Sequence, residues 1–153
     1  MIVRDFMTTG VKSCTADTDL GTAATMMWDG DCGVVPVIND EQNVVGMITD
    51  RDICIAAATR GTSPANIRVR DVISGDVYAC APDDDVTTAL QIMREQRVRR
   101  LPVIDRDERL AGIVSMNDLV TGAECRKGAD VPGEAFLATL KAICEHARPT
   151  VSA

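Results

Sequence analysis

Aromatic residues and histidine are scarce in this sequence, and both shortages narrow the classes of function. Phe, Trp and Tyr make up 3% of the 153 residues. Proteins that bind single-stranded nucleic acid stack the bases on aromatic side chains, so this composition disfavours that class. His146 is the only histidine, which removes most schemes of general-base or triad catalysis. We therefore predict a protein that is not an enzyme.

The sequence also lacks a net positive charge, long apolar runs and closely spaced pairs of cysteines. The net charge of −7 repels nucleic acid and anionic membranes. No stretch approaches the ~20 apolar residues of a membrane span, and the first residues lack the apolar run of a signal peptide. The six cysteines show no Cys-x-x-Cys spacing. We interpret most of them as small core residues and expect a cytoplasmic protein, where thiols stay reduced.

An internal repeat with an offset of 66 residues organises the chain. Residues 3–60 align without gaps on residues 69–126, and 17 of the 58 aligned positions are identical. Chance would give about three or four identities. The matched segments include Pro36-Val37-Ile38 and Pro102-Val103-Ile104. The predicted divisions are a first repeat at 1–60, a linker at 61–67, a second repeat at 68–126 and a tail at 127–153.

Each repeat predicts the element order β-α-β-β-α, which defines an α/β (α+β) fold. Apolar runs predict strands, and acidic or hydroxyl residues before helical patterns predict helix starts. The predicted strands are Val11–Cys14, Val34–Ile38, Val44–Ile48, Val77–Cys80, Leu101–Ile104 and Leu110–Val114. The predicted helices begin near Asp17–Asp19, at Thr49, at Asp84 and at Ser115. Because one such unit buries too little surface alone, we expect a pseudo-twofold pair with clefts between the repeats.

A short motif closes the last strand of each repeat. The two copies are Gly46-Met47-Ile48-Thr49-Asp50-Arg51-Asp52 and Gly112-Ile113-Val114-Ser115-Met116-Asn117-Asp118. Each places a hydroxyl at a helix start, where free N–H groups and the helix dipole favour a phosphate. The aspartate three positions later can accept hydrogen bonds from a ribose diol. A capping box between the hydroxyl residue and the aspartate is the competing interpretation.

The repeated motifs resemble the cystathionine β-synthase (CBS) domain family in its tandem form, the Bateman module. The resemblance covers about residues 2–126, and the chain is similar to stand-alone bacterial two-domain proteins, including the hypoxic response protein type. It implies a non-catalytic sensor of an adenosine-containing ligand (AMP, ADP or ATP) that requires no cofactor. It also implies a homodimer that acts on an unnamed protein client, without nucleic acid or membrane. The alternative is a structural or partner-binding module without ligand.

The resemblance also implies the residues of the ligand site. In the family the motif hydroxyl contacts phosphate, the aspartate contacts ribose, and two strands frame the adenine. The residues implied here are Val11, Cys14, Val34, Val35, Pro36, Thr49, Asp52, Val77, Tyr78, Cys80, Arg100, Leu101, Pro102, Ser115 and Asp118. Arg100 has a second interpretation as a solvated surface charge. Because Val34 is its counterpart, we expect stronger anion binding in the second repeat.

The tail has no counterpart in the repeat. A helical pattern begins at Pro132-Gly133-Glu134 and stops before Pro149, with an apolar stripe that needs a surface to cover. The stripe comprises Phe136, Leu137, Leu140, Ile143 and Cys144. Its surface could belong to the same domain, a second subunit or a client, and we favour a second subunit. We interpret Trp28 as a packing residue, and Cys144 with His146 as too few ligands for zinc.

Overall fold

The computed structural model describes residues 1–125 and 133–145. The helices are α1 (Leu20–Asp29), α2 (Asp50–Thr59), α3 (Val86–Gln96), α4 (Met116–Cys125) and α5 (Gly133–Cys144). The strands are β1 (Cys14–Thr15), β2 (Val34–Ile38), β3 (Val44–Thr49), β4 (Arg100–Ile104) and β5 (Leu110–Ser115). Three strands form a sheet in the order β1-β2-β3, and β4 pairs with β5. The predicted mixed α/β class is confirmed, and α3, β4, β5 and α4 begin 66 residues after α1, β2, β3 and α2.

The first strand of each repeat is much shorter than predicted. Only Cys14 and Thr15 pair with β2, with Cys14 parallel to Val37, and Cys80 makes a single bridge to Val103. In each case the preceding partner position is a proline, Pro36 or Pro102. A proline has no N–H to donate, so the parallel ladder does not extend back toward Val11 or Val77.

Aspartate side chains cap the first helix of each repeat. Asp19 accepts a hydrogen bond from the Thr22 backbone N–H at 2.9 Å, and Asp85 accepts one from the Thr87 N–H at 2.8 Å. Each carboxylate also accepts a bond from the hydroxyl of the same threonine, at 2.8 Å for Thr22 and 2.6 Å for Thr87. These bonds satisfy N–H groups that the helix itself leaves without partners.

The chain groups into two compact units that do not coincide with the two sequence repeats. One unit comprises Met1–Thr8, Tyr78–Val103 and the described residues from Ile113 onward; the other comprises Thr9–Val77 and Ile104–Gly112. Within the first unit the Val3 N–H donates to the Asp84 carbonyl at 2.9 Å. Within the second unit the Leu20 N–H donates to the Ile67 carbonyl, also at 2.9 Å. The segment that opens each sequence repeat therefore packs with the helix of the other repeat.

The interpretation of most cysteines as core residues is wrong. Cys14 and Cys80 are buried, but Cys32, Cys54 and Cys144 are exposed, and none of these five is in a disulfide. Burial raises the pKa of the Cys14 thiol to about 11 and that of Cys80 to about 12. Cys54 and Cys144 lie on α2 and α5, and Cys32 lies between α1 and β2, where its thiol donates to the Val34 carbonyl at 3.4 Å.

The interpretation of Trp28 as a packing residue is also wrong. This side chain, the only tryptophan, lies on α1 and is 87% exposed.

Helix α5 has two separate apolar sides rather than the single stripe predicted. It packs against α3, and the buried Thr139 hydroxyl donates to the Leu90 carbonyl at 3.2 Å. Leu137 and Leu140 point away and are 68% and 47% exposed. The structure thus shows one contact within the same unit, and the favoured contact with a second subunit stays a prediction.

Candidate functional site

The first motif forms a complete capping box at the start of α2. The Thr49 Oγ1 accepts a hydrogen bond from the Asp52 N–H at 3.2 Å. In return, Asp52 Oδ2 accepts bonds from the Thr49 N–H at 3.0 Å and from the Thr49 hydroxyl at 2.6 Å. The capping box, which was the competing interpretation of this motif, is therefore present in the first repeat.

The second motif repeats the same three bonds with nearly the same lengths. Asp118 Oδ2 accepts from the Ser115 N–H at 2.8 Å and from the Ser115 hydroxyl at 2.7 Å, and Ser115 Oγ accepts from the Asp118 N–H at 3.1 Å. The four capping residues, Thr49, Asp52, Ser115 and Asp118, are half-buried. The conservative exchange of threonine for serine between the repeats keeps the capping oxygen and changes only a methyl group.

Each capping box leaves part of the aspartate carboxylate available. Both bonds to each aspartate side chain end on Oδ2, and within the described residues neither Oδ1 accepts a hydrogen bond. A carboxylate oxygen has two lone pairs, so Oδ1 can accept from the hydroxyls of an incoming diol. The hydroxyl proton of Thr49 or Ser115, by contrast, is already directed at Oδ2. Capping and ligand binding are therefore compatible for the aspartates, whereas the hydroxyls would have to turn to donate to a phosphate.

The strands place a different residue beside each motif. Val34 pairs with Thr49 across β2 and β3, and the Asp50 N–H donates to the Gly33 carbonyl at 3.2 Å. In the second repeat the Met116 N–H donates to the Arg99 carbonyl at 2.9 Å. Arg100 is the next residue and begins β4, so its backbone lies at the sheet end where Ser115 completes β5.

The remaining candidate residues are mostly inside the core. The buried ones are Cys14, Val34, Val35, Pro36, Cys80, Leu101 and Pro102. Val11 and Val77 are half-buried, and Tyr78 is 38% exposed. The buried side chains already have apolar neighbours, so these positions can reach a ligand chiefly through their backbone atoms. Among the candidates that would frame an adenine, only Tyr78 offers an exposed ring.

Arg60 lies in the wall of a small cavity and was not a candidate in the sequence analysis. It lines a cavity of about 210 Å³ on α2 together with Asp52 and Val72. Its guanidinium Nη2 donates to the Asp71 carbonyl. Arg60 is the C-cap of α2, at the opposite end of the helix from the Thr49 cap, so it adds a cation to the wall of this cavity and not to the helix start. The signal was present in the sequence, because Arg60 aligns with Arg126 in the repeat; Arg126 itself lies outside the described residues.

The described residues offer no group of three or more His, Cys, Asp or Glu side chains suited to a metal ion. His146, the only histidine, lies outside them. No helix among residues 1–125 and 133–145 has the length and apolar character to cross a membrane.

Comparison with known proteins places the chain in a family. The CBS domain model matches residues 3–58 and again residues 69–123, which together cover most of the chain. The protein therefore belongs to the CBS domain family, with two copies of the domain in tandem. The resemblance noted from the motifs is confirmed.

Relatives with the same tandem arrangement align over nearly their full length. Hypoxic response protein 1 of Mycobacterium tuberculosis is 32% identical over 141 residues, which span 92% of either chain. The crystal structure of Hypoxic Response Protein I with two coordinated zinc ions superposes with a TM-score of 0.72 and 32% identity, covering 79% of this chain and 98% of that one. The structure of CBSX2 in complex with AMP gives a TM-score of 0.68 at 25% identity, covering 81% and 96% of the chains.

Proposed function

We propose that this protein is a non-catalytic regulatory module that binds an adenosine-containing ligand, AMP, ADP or ATP, through its two helix-start motifs. The observation that carries the proposal is the repeated aspartate, Asp52 or Asp118, whose Oδ2 is held by a capping box while its Oδ1 accepts no hydrogen bond from the described residues. Ribose hydroxyls can donate to that oxygen. The complex of CBSX2 with AMP supports an adenosine ligand for a related tandem pair.

The phosphate end of the ligand would lie at the first turn of α2 or α4. The positive end of the helix dipole favours an anion there, whereas the Asp52 and Asp118 N–H groups already donate to the capping hydroxyls. Arg100, which begins β4 next to the strand that Ser115 completes, can add a charge-assisted hydrogen bond at the second motif. We propose further that the protein acts in the cytoplasm as a homodimer and that bound ligand alters its contact with a protein client.

A partner-binding module without ligand is the second candidate. The observation in its favour is that both capping boxes are complete, so Thr49, Asp52, Ser115 and Asp118 have a structural role whether or not a ligand binds. A thermal-shift screen with AMP, ADP, ATP, S-adenosylmethionine and NAD separates the two candidates. A ligand at 100 times its Kd stabilises the folded state by about 2.7 kcal/mol, and absence of any shift favours the second candidate.

Aspartate variants test which motif holds the ligand. We expect Asp52→Ala or Asp118→Ala to weaken binding at its own motif about tenfold or more, because a hydrogen bond to a charged group is worth roughly 1.5–3 kcal/mol. Calorimetric titration measures the affinity, and melting curves without ligand measure the loss of the cap. Asp40→Ala removes the same charge from the exposed turn between β2 and β3 and is the matched control. Unchanged affinity in both motif variants would mean that these carboxylates only cap helices.

A further inference from the structure

A small cavity lies between one side of α2 and Val72. Its volume is about 210 Å³, and the residues that line it are Asp52, Ile55, Ala56, Thr59, Arg60 and Val72. The first five follow the i, i+3, i+4, i+7, i+8 spacing, so they share one side of the helix. Pockets for drug-sized ligands usually measure about 300–1,000 Å³, so this cavity suits a molecule of roughly ten non-hydrogen atoms or fewer.

The corresponding contact in the second repeat is closed by an aromatic ring. Phe6 is the counterpart of Val72, and Gly122 on α4 is the counterpart of Ala56. A Cβ added to Gly122 would clash with Cδ1 of Phe6, so the ring rests directly on the helix backbone. Phe6 is buried, whereas Val72 is only half-buried. The first repeat therefore has a smaller side chain where the second has a ring, and the surface of α2 beside Val72 is open.

Arg60 supplies a positive charge in the cavity wall. One guanidinium nitrogen, Nη2, donates to the Asp71 carbonyl, and among the described residues Arg60 makes no ion pair. A guanidinium has five N–H groups, so others are available to an acceptor. The Thr59 hydroxyl already donates to the Ile55 carbonyl at 2.7 Å, so it has no proton to give to a ligand. Arg60 is therefore the side chain that can donate into the cavity.

The carboxylate of Asp52 limits the charge that the cavity accepts. Asp52 and Arg60 are eight residues apart, which places their Cα atoms about 12 Å apart along the helix. Ala56 and Val72 form an apolar wall between the two charges. A ligand with one negative charge can pair with Arg60 and keep its apolar part against this wall. A second negative charge at the far end of the ligand would be repelled by Asp52.

We propose that this cavity binds a small monocarboxylate, with its carboxylate on Arg60 and an unbranched apolar chain against Ala56 and Val72. The free guanidinium N–H groups would give the carboxylate charge-assisted hydrogen bonds. Arg60 is the C-cap of α2, at the opposite end of the helix from Thr49, so this anion lies away from the helix start. The ligand needs neither a ribose nor an adenine, and the proposal does not depend on nucleotide binding.

Hexanoate tests the proposal on the full-length protein, with hexanamide and adipate as matched probes. Hexanamide has the same size without the charge, and adipate carries a second carboxylate at the far end. An NMR titration at low salt follows the methyl signals of Ile55, Thr59 and Val72, because salt screens a charge as exposed as Arg60. We expect hexanoate to shift these signals and to bind at least fivefold more tightly than either other probe.

Two variants test where the carboxylate and the chain lie. Arg60→Gln should remove the preference for hexanoate over hexanamide. Arg51→Gln removes the same charge from an exposed position of α2 outside the cavity and should keep the preference. Val72→Phe with Ala56→Gly gives the first repeat the pair of residues found in the second repeat, and it should abolish hexanoate binding. A melting curve shows whether this double variant is folded, and Arg60→Gln provides a test that does not depend on it.

Three results would overturn the proposal. Absence of any shift at Ile55, Thr59 and Val72 would show that the cavity takes no such ligand. Equal affinity for hexanoate and hexanamide, or a preference that survives Arg60→Gln, would show that Arg60 does not bind the carboxylate. Shifts confined to the backbone amides of Thr49 and Asp52 would place the anion at the helix start. None of the probes is a nucleotide, so failure of the nucleotide proposal leaves this test unchanged.

Discussion

Aspartate side chains stabilise the first turns of four helices in this chain. Asp19 and Asp85 cap α1 and α3, while Asp52 and Asp118 complete capping boxes at α2 and α4. Hydrogen bonds to the ionised form lower the pKa of Asp19, first from the Thr22 backbone N–H and then from its hydroxyl. The Thr87 hydroxyl is the largest cause of the lowered pKa of Asp85. The folded state therefore favours the charged form at both positions.

The contribution of the Asp19 cap is expected to vanish in acid. Its pKa in the folded protein lies below the ordinary value of 3.8, so the cap stabilises the fold fully above pH 3.8. The stabilisation is lost as the pH falls below 3.8 through the lowered folded pKa. We expect Asp19→Ala to lower the Tm at pH 7 and to differ less from wild type at pH 3. Melting curves at both pH values measure this, with Asp40→Ala as control; a constant difference would exclude a charge-dependent cap.

Strands marked by an apolar run of several residues were predictable from the sequence. Features that depend on one contact with a residue distant in the chain were not. The apolar runs of β2, β3, β4 and β5 gave strand bounds within one residue. The strand predicted at Val11–Cys14 failed because Pro36, on the neighbouring strand, blocks the ladder. The two-sided packing of α5 was missed because a buried Thr139 depends on a carbonyl 49 residues earlier in the chain. The capping boxes were among the interpretations of the motif. The sequence could not show which carboxylate oxygen of Asp52 or Asp118 the capping bonds leave without a donor, because that depends on the side-chain geometry.

The packing of α5 on α3 is expected to depend on the Thr139 hydroxyl. Thr139→Val keeps the shape but removes the donor to the Leu90 and Ala135 carbonyls, which lie at 3.2 and 2.8 Å. A hydrogen bond contributes roughly 0.5–1.5 kcal/mol, so we expect a loss of about 1 kcal/mol in urea unfolding. Thr59→Val is the matched control, because its hydroxyl bonds the Ile55 carbonyl at 2.7 Å on an exposed helix side. An equal loss in both variants would mean that the contact with α3 contributes nothing.

Across the whole molecule, the two repeats keep one backbone pattern and carry different charge. Residues 1–60 contain four basic and nine acidic side chains, which gives −5, whereas residues 67–126 contain nine and eleven, which gives −2. The helix that packs on α3 is supplied by the same chain. The two repeats thus share one order of elements and differ in the charge that they carry.

The outer side of α5 is expected to hold two copies of the protein together. Leu137 and Leu140 are exposed although they are apolar, and a symmetric dimer would place this patch against itself. We expect Leu137→Lys with Leu140→Lys to reduce the mass seen by light scattering toward the 16.4 kDa of one chain. Deleting residues 130–153 should also weaken self-association, but it would uncover Leu90 as well, so solubility should fall. A double variant that keeps the dimer mass would show that α5 serves only its own unit, and an unchanged melting curve would show that the variant is folded.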